Sequence, residues 1–138
     1  MPKHLFIDTN ILIDLLIDRK PFSDKAEKLF EASAIGKAKL YVSSVSFNNI
    51  YYIVRQNETH KKSIELLEGL EKYVEILPVD SSVIKKSLAS NFNDFEDAIQ
   101  NFSAESNSKI EAIITRNEKD FKKSNLPVFA PEMILSIL

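Results

Sequence analysis

Leu5-Phe6-Ile7-Asp8-Thr9-Asn10-Ile11-Leu12-Ile13-Asp14 joins a strand-like stretch to a helix-like one, with an acid at the junction. Leu5, Phe6 and Ile7 are three consecutive apolar residues and predict a short strand buried on both faces. The small polar side chains of Asp8-Thr9-Asn10 are of the kind that begin a helix. Asp8 is therefore expected where the strand stops. In an open parallel sheet that is the mouth of the crevice in which ligands bind. An acid in this place also fits a plain helix cap, so its meaning depends on what the rest of the chain brings to it.

Working outward, Ile11, Leu12, Leu15 and Leu16 carry a helix to about Asp18, where Arg19-Lys20-Pro21 breaks the pattern. Ser23 is the expected cap of a second helix, with Ala26, Leu29, Phe30 and Ser33 as its inner stripe and Gly36 as its stop. Leu40–Ser43 reads as the second strand, and Ser44-Val45-Ser46 leads into a helix carrying Phe47, Ile50, Tyr51 and Val54. A charged helix is expected from Asn57 to about Tyr73, then a strand over Val74–Leu77 limited by Pro78. Asp80-Ser81-Ser82 caps a short helix ending near Asn91, and another begins around Asp94 and runs through Ala98, Ile99 and Phe102. Ile110–Thr115 is β-branched and short, a fourth strand. Leu126–Phe129 is an edge strand by its proline, and Pro131 opens a last apolar turn or helix. Strands alternate with helices throughout, which predicts an α/β fold in which helices cover both faces of a parallel sheet. With 138 residues and 44% apolar content the chain fits a single domain over 1–138.

Composition removes several kinds of chemistry. There is no cysteine, and His4 and His60 are the only histidines, so thiolate and zinc sites are excluded or disfavoured and any metal is held by oxygen. Gly36 and Gly69 are the only glycines, too few for a phosphate cradle of the P-loop or dinucleotide type. A net charge of −2 and a pI near 5.7 disfavour a general polyanion binder and leave only local basic patches. No apolar run approaches membrane-spanning length, so a soluble, cytoplasmic protein is expected.

Two further stretches carry acids. In Asp94-Phe95-Glu96-Asp97-Ala98-Ile99-Gln100, helical spacing points Asp94 and Asp97 together and turns Glu96 away. The helix macrodipole alone accounts for acids near a helix start, but Asp97 beside Ala98 and Ile99 calls for a cationic partner. In Thr115-Arg116-Asn117-Glu118-Lys119-Asp120-Phe121, polar residues follow a buried strand as they do at Asp8. An ordinary turn, with Asn117 as cap and Asp120 as its capping-box partner, would explain this too. Read together, Asp8, Asp94, Asp97 and Asp120, with Asn117, gather at one sheet edge. Carboxylates so crowded repel and make sense with a divalent cation, and an all-oxygen donor set selects Mg²⁺ or Mn²⁺. Such an ion activates water and neutralises phosphate charge, which suggests phosphodiester hydrolysis.

In this order, and with Val42-Ser43-Ser44-Val45-Ser46 between, these motifs resemble the PIN-domain family, which includes the VapC-like toxin ribonucleases of toxin–antitoxin pairs. The resemblance covers essentially the whole chain. It implies a three-layer α/β/α sandwich with a mostly parallel sheet of four to five strands, and a metal-dependent endoribonuclease. A homodimer and an antitoxin protein are the implied partners. By motif position Asp8 is the first acidic metal ligand, Asp97 the third, and Asp94 an additional acid just upstream. Where the family usually has Glu this chain has Asn49, and where it often has Asp this chain has Asn117. Asparagine can ligate through its carbonyl oxygen but brings no charge and cannot act as a base. Asp120 is then expected to serve in its stead.

Thr9 and Thr115 are candidates to hydrogen-bond a phosphate or a carboxylate, and Arg116 is the leading candidate for an RNA phosphate contact, ahead of Lys119, Lys122 and Lys123. One competing reading keeps the fold as an RNA- or protein-binding module with a weakened metal site. Another, a phosphatase with Asp8 as nucleophile, lacks the second Asp expected two residues on, where Asn10 stands.

Overall fold

Five strands, β1 (Lys3–Ile7), β2 (Ala38–Ser43), β3 (Val74–Leu77), β4 (Ala112–Ile114) and β5 (Val128–Phe129), form one sheet ordered β3-β2-β1-β4-β5 in the computed structural model, which describes residues 1–138. Every pairing is parallel, so the expected mostly parallel sheet is wholly so. The first strand in sequence is the central one. From it the chain steps to β2 and β3 on one side and later returns to β4 and β5 on the other, which makes the gap between the ends of β1 and β4 the topological switch point.

Alternation along the strands divides the core. Leu5 and Ile7 of β1, Leu40 and Val42 of β2, and Ala112 and Ile114 of β4 face a larger cluster formed with α1 (Thr9–Leu16), α2 (Phe22–Ala34), α3 (Ser44–Arg55) and α4 (His60–Glu71). The short α7 (Pro131–Leu135) adds Ile134 to it. Phe6, Tyr41 and Ile113 point the other way, where α6 (Phe95–Glu105) supplies Ala104 and the 3-10 turn Glu118–Phe121 supplies Phe121. The helix α5 (Ser81–Ala89) packs beside α6. The three consecutive apolar residues that define β1 are needed because both faces are covered. Each fully buried side chain of this kind contributes about 1.5–3 kcal/mol relative to exposure.

Local departures from the sequence reading have local causes. Pro21, not Ser23, stands at the start of α2, and Ser23 lies inside the helix, buried. The charged helix begins at His60 because Thr59 caps it, its hydroxyl accepting from the Lys62 amide at 3.1 Å. The regular part of β4 is shorter than Ile110–Thr115, yet the ladder bonds run on: the Glu111 amide donates to the His4 carbonyl at 2.8 Å and the Thr115 amide to that of Phe129 at 3.0 Å. Gly36 after α2 has φ +80°, the left-handed conformation that favours glycine as a stop.

Candidate active site

The register between β1 and β4 sets the centre of the site. Ile7 pairs with Ile114, the Asp8 amide donates to the Ile114 carbonyl at 3.0 Å, and the residues just beyond, Asp8 and Thr115, meet side by side. The Thr115 hydroxyl donates to Asp8 Oδ2 at 2.8 Å and the Gln100 carboxamide to Oδ1 at 3.0 Å. Although Asp8 stands at the N-cap position of α1, its side chain makes no capping hydrogen bond. The backbone N–H groups of Thr9 and Asn10 still act on it, but its hydrogen-bonding partners by distance are Thr115 and Gln100. Only 3% exposed, the carboxyl is pushed above its usual range by burial, with the Thr115 and Gln100 donors pulling against that shift.

Thr9 is held just as tightly. Its amide and hydroxyl both donate to Gln100 Oε1 at 3.0 Å, and its hydroxyl also meets the Ser46 hydroxyl at 2.7 Å. Gln100 thus donates to Asp8 and accepts from Thr9, locking the end of β1 to α6 across the crevice. The Thr115 hydroxyl proton is directed at Asp8, and Thr9 meets Asp8 only through their shared partner Gln100.

Asp94 does cap its helix: its carboxylate accepts from the Asp97 amide at 3.0 Å. Asp94, Asp97 and Asp120 line one cavity of about 160 Å³ together with Lys119, Lys122 and Lys123. Half-buried, Asp97 is pushed up to about 7, first by burial and then by the charges of Asp94, Asp8, Asp120 and Glu96. The charges that raise it all belong to acids. Asp94, Asp97 and Asp120 share this cavity, and the Asp8 charge acts on Asp97 from outside its lining.

Whether this set suits a metal turns on its chemistry. The side-chain conformations here bring no three acidic groups to a single point. The donors are nonetheless all hard oxygens, and the repulsion that lifts Asp97 is what a divalent cation relieves, so the residues fit Mg²⁺ or Mn²⁺. Asn117 is exposed beside Thr115, whose hydroxyl accepts from its amide at 3.0 Å. It makes no side-chain cap, and the capping box with Asp120 does not form.

Glu96 turns away from Asp94 and Asp97, as helical spacing requires, into a second groove with Thr9, Asn10 and Asn49. Burial raises its pKa, the Asn49 amide lowers it, and the Asp8 charge raises it again. Asn49 thus stands beside a carboxylate, although it carries none itself.

Arg116 is placed differently from the phosphate contact expected of it. Its Nε and Nη2 donate to the two oxygens of buried Asp14 at 2.7 and 3.2 Å, and its guanidinium lies 3.8 Å from the centre of the Phe22 ring. Arg19 approaches the same carboxylate at 3.3 Å. Asp14, Gln100, Ser46 and Glu96 were not singled out by the sequence reading. An acid and an amide in the interior of helical patterns were the only signals they offered.

The sequence profile described as PIN domain matches residues 4–119. No curated protein is significantly similar. Among solved structures, a toxin–antitoxin complex from Klebsiella pneumoniae is 24% identical, with a TM-score of 0.67 over 92% of this chain and 97% of that one. DNA-bound VapBC from Salmonella typhimurium is 16% identical, with a TM-score of 0.69 over 95% and 99%. A Sarcin-Ricin loop cleaving toxin from Mycobacterium tuberculosis is 14% identical, with a TM-score of 0.61 over 79% and 86%.

Proposed function

The chain belongs to the PIN-domain family, and from that premise we propose that it is a metal-dependent endoribonuclease, the toxin of a toxin–antitoxin pair. The observation that supports this reading is a buried acid at the switch point of a parallel sheet, fixed by Thr115 and Gln100, near an Asp97 that burial first and neighbouring carboxylates second raise to about 7.

Asp8, Asp94, Asp97 and Asp120 would hold Mg²⁺ or Mn²⁺, with the Asn49 and Asn117 carbonyl oxygens as neutral donors. When bound, the ion supplies a more acidic water and neutralises charge on the phosphate. The chain's own part is positional and protonic. Thr115 and Gln100 keep the Asp8 carboxylate fixed in its orientation. Without metal Asp97 holds a proton near neutral pH, and binding the ion would displace it. Lys119, Lys122 and Lys123 border the same cavity and attract the phosphate backbone. Arg116, tied to Asp14, acts by holding the loop that carries Thr115.

A protein partner has a place as well. A groove of about 720 Å³ between α1 and α3 is lined by Leu16, Ile17, Ile53, Val54 and Leu66, with Arg19 and Glu58 at its rim, and an amphipathic antitoxin segment suits it. No helix is long and apolar enough to cross a membrane.

The test is incubation of the purified protein with a labelled RNA pool, with Mg²⁺, with Mn²⁺ and with EDTA, beside Asp8→Asn. Cutting is expected only with metal and only by the unsubstituted chain. Cutting that persists in EDTA or in the variant would overturn the mechanism. The uncharged Asn49 and Asn117 favour a second reading, a binding module of the same fold with little catalysis. Under that reading millimolar Mn²⁺ leaves the melting temperature unchanged.

A further inference from the structure

The first turn of α6 separates two unlike surfaces. On one side Asp97 faces the lysine-bordered cavity. On the other, Glu96 faces a groove of about 640 Å³ in which Tyr51 and Tyr52 of α3 stand opposite Asn10 of α1, with Asn48 and Asn49 beside them. Thr9 lines that groove and directly follows Asp8, so the groove opens one residue from the centre of the carboxylate set.

Its aromatic residues are not equivalent. The Tyr51 hydroxyl bonds to His60 Nδ1 at 2.8 Å and its ring meets the His60 ring edge-on, tying α3 to α4. Tyr52 is 69% exposed, as much ring as a stacking partner requires. Asn10 and Asn48 are exposed as well, while Asn49 is occupied with Glu96.

We propose that this groove is a nucleobase site, in which an unpaired base next to the scissile phosphate stacks on Tyr52 and presents its edge to the carboxamides of Asn10 and Asn48. The inference rests on the ribonuclease reading above and adds where and how the strand is read. Unpaired bases stack on exposed aromatic rings, and a carboxamide donates and accepts in the pattern that matches the N6 and N7 edge of adenine, so adenine is the favoured base. Glu96 is the groove's one charged lining residue, which suits an uncharged base edge there and leaves the phosphates to the lysines. The strand's phosphates have lysines on the far side of the carboxylates, and its base has rings and amides on the near side, so one nucleotide crossing the first turn of α6 satisfies both surfaces.

The probe is a set of fluorescein-labelled oligouridine heptamers carrying one adenosine, guanosine or cytidine, or none. Binding is read by anisotropy in EDTA and cleavage position in Mn²⁺. The adenosine-containing heptamer is expected to bind tightest and to be cut beside the adenosine. Tyr52→Ala should weaken its binding about ten-fold, Tyr52→Phe should retain it, and Asn48→Ala with Asn10→Ala should flatten the base preference. Because Tyr52 is exposed, Tyr52→Ala should melt as the unsubstituted chain does. Equal binding and equal base preference in Tyr52→Ala would overturn the proposal while leaving metal-dependent cutting intact. A Tyr52→Ala chain that changes its elution volume but not its RNA binding would assign the face to a second copy and also overturn it. If the unsubstituted chain neither binds nor cuts any heptamer or RNA pool, the ribonuclease reading falls and the base site with it.

Discussion

The hydroxyl of Thr115 donates to Asp8 Oδ2 at 2.8 Å, binding the ends of the two strands that flank the switch point. Thr115→Val keeps the shape and deletes this donor, leaving a buried carboxylate with Gln100 as its only side-chain donor. A loss of about 1.5–3 kcal/mol is expected from a charge-assisted bond of this type. Urea denaturation at pH 7 reads it, and Thr115→Ser should recover most of the loss. A valine variant as stable as the parent would mean that Asp8 is protonated and needs no second donor.

The elevated Asp97 makes stability depend on pH. Its carboxyl sits at about 7 in the fold against an ordinary 3.8, so the folded chain holds a proton that the unfolded chain has already released. The associated stability is fully present below about pH 4 and is lost as pH rises through 7. Asp8 and Glu96, also raised, shift stability in the same direction. In EDTA the melting temperature should therefore fall between pH 5 and pH 8. Asp97→Asn should flatten that slope and raise the pH 8 melting temperature by roughly 3 °C. A slope that Asp97→Asn leaves unchanged would assign it to other acids.

Metal should reverse the slope. Mn²⁺ at a hundred times its dissociation constant stabilises by about 2.7 kcal/mol, and more at pH 8 than at pH 6, where protons compete for Asp97. Asp8→Asn should remove most of this gain. Thermal melts across a Mn²⁺ series at both pH values provide the measurement, and equal gains in parent and variant would exclude Asp8 as a ligand.

Arg116 separates two roles by energy. As the bidentate partner of Asp14, whose side chain is 1% exposed, it should cost about 3 kcal/mol when replaced by Ala, since only Arg19 would remain beside a buried charge. Arg116→Lys should lose much of that too, because an ammonium cannot form both bonds in one plane. If instead Arg116→Ala melts like the parent and loses RNA affinity with a shallower salt dependence, its guanidinium serves phosphate.

The order of elements and the local placement of Asp94 and Asp97 were readable because both follow short-range rules. Leu5-Phe6-Ile7 can only be a strand covered on two sides, and Asp94-Phe95-Glu96-Asp97 places its acids by helical angle. What could not be read depends on contacts distant in sequence. Gln100 looks like a surface residue of α6 until the sheet brings Asp8 to its amide. Asp14 sits among leucines as an apparent solvent-facing break in the stripe until Arg116 arrives from 102 residues away. Thr9 and Thr115 could be named as hydrogen-bonding residues. Only the packing decided that they bind Asp8, Gln100 and Ser46 in place of a ligand.

The middle place of β1 has a consequence for synthesis on the ribosome. Its neighbour β2 emerges soon after it, but Thr115 lies 107 residues beyond Asp8, so the first acid waits for its donor until β4 has been made. A nascent or prematurely terminated chain ending before β4 carries Asp8 without the strand that pairs with β1 beside it. Such a product lacks the Thr115 donor and the β4 neighbour that hold the Asp8 carboxylate in the full fold.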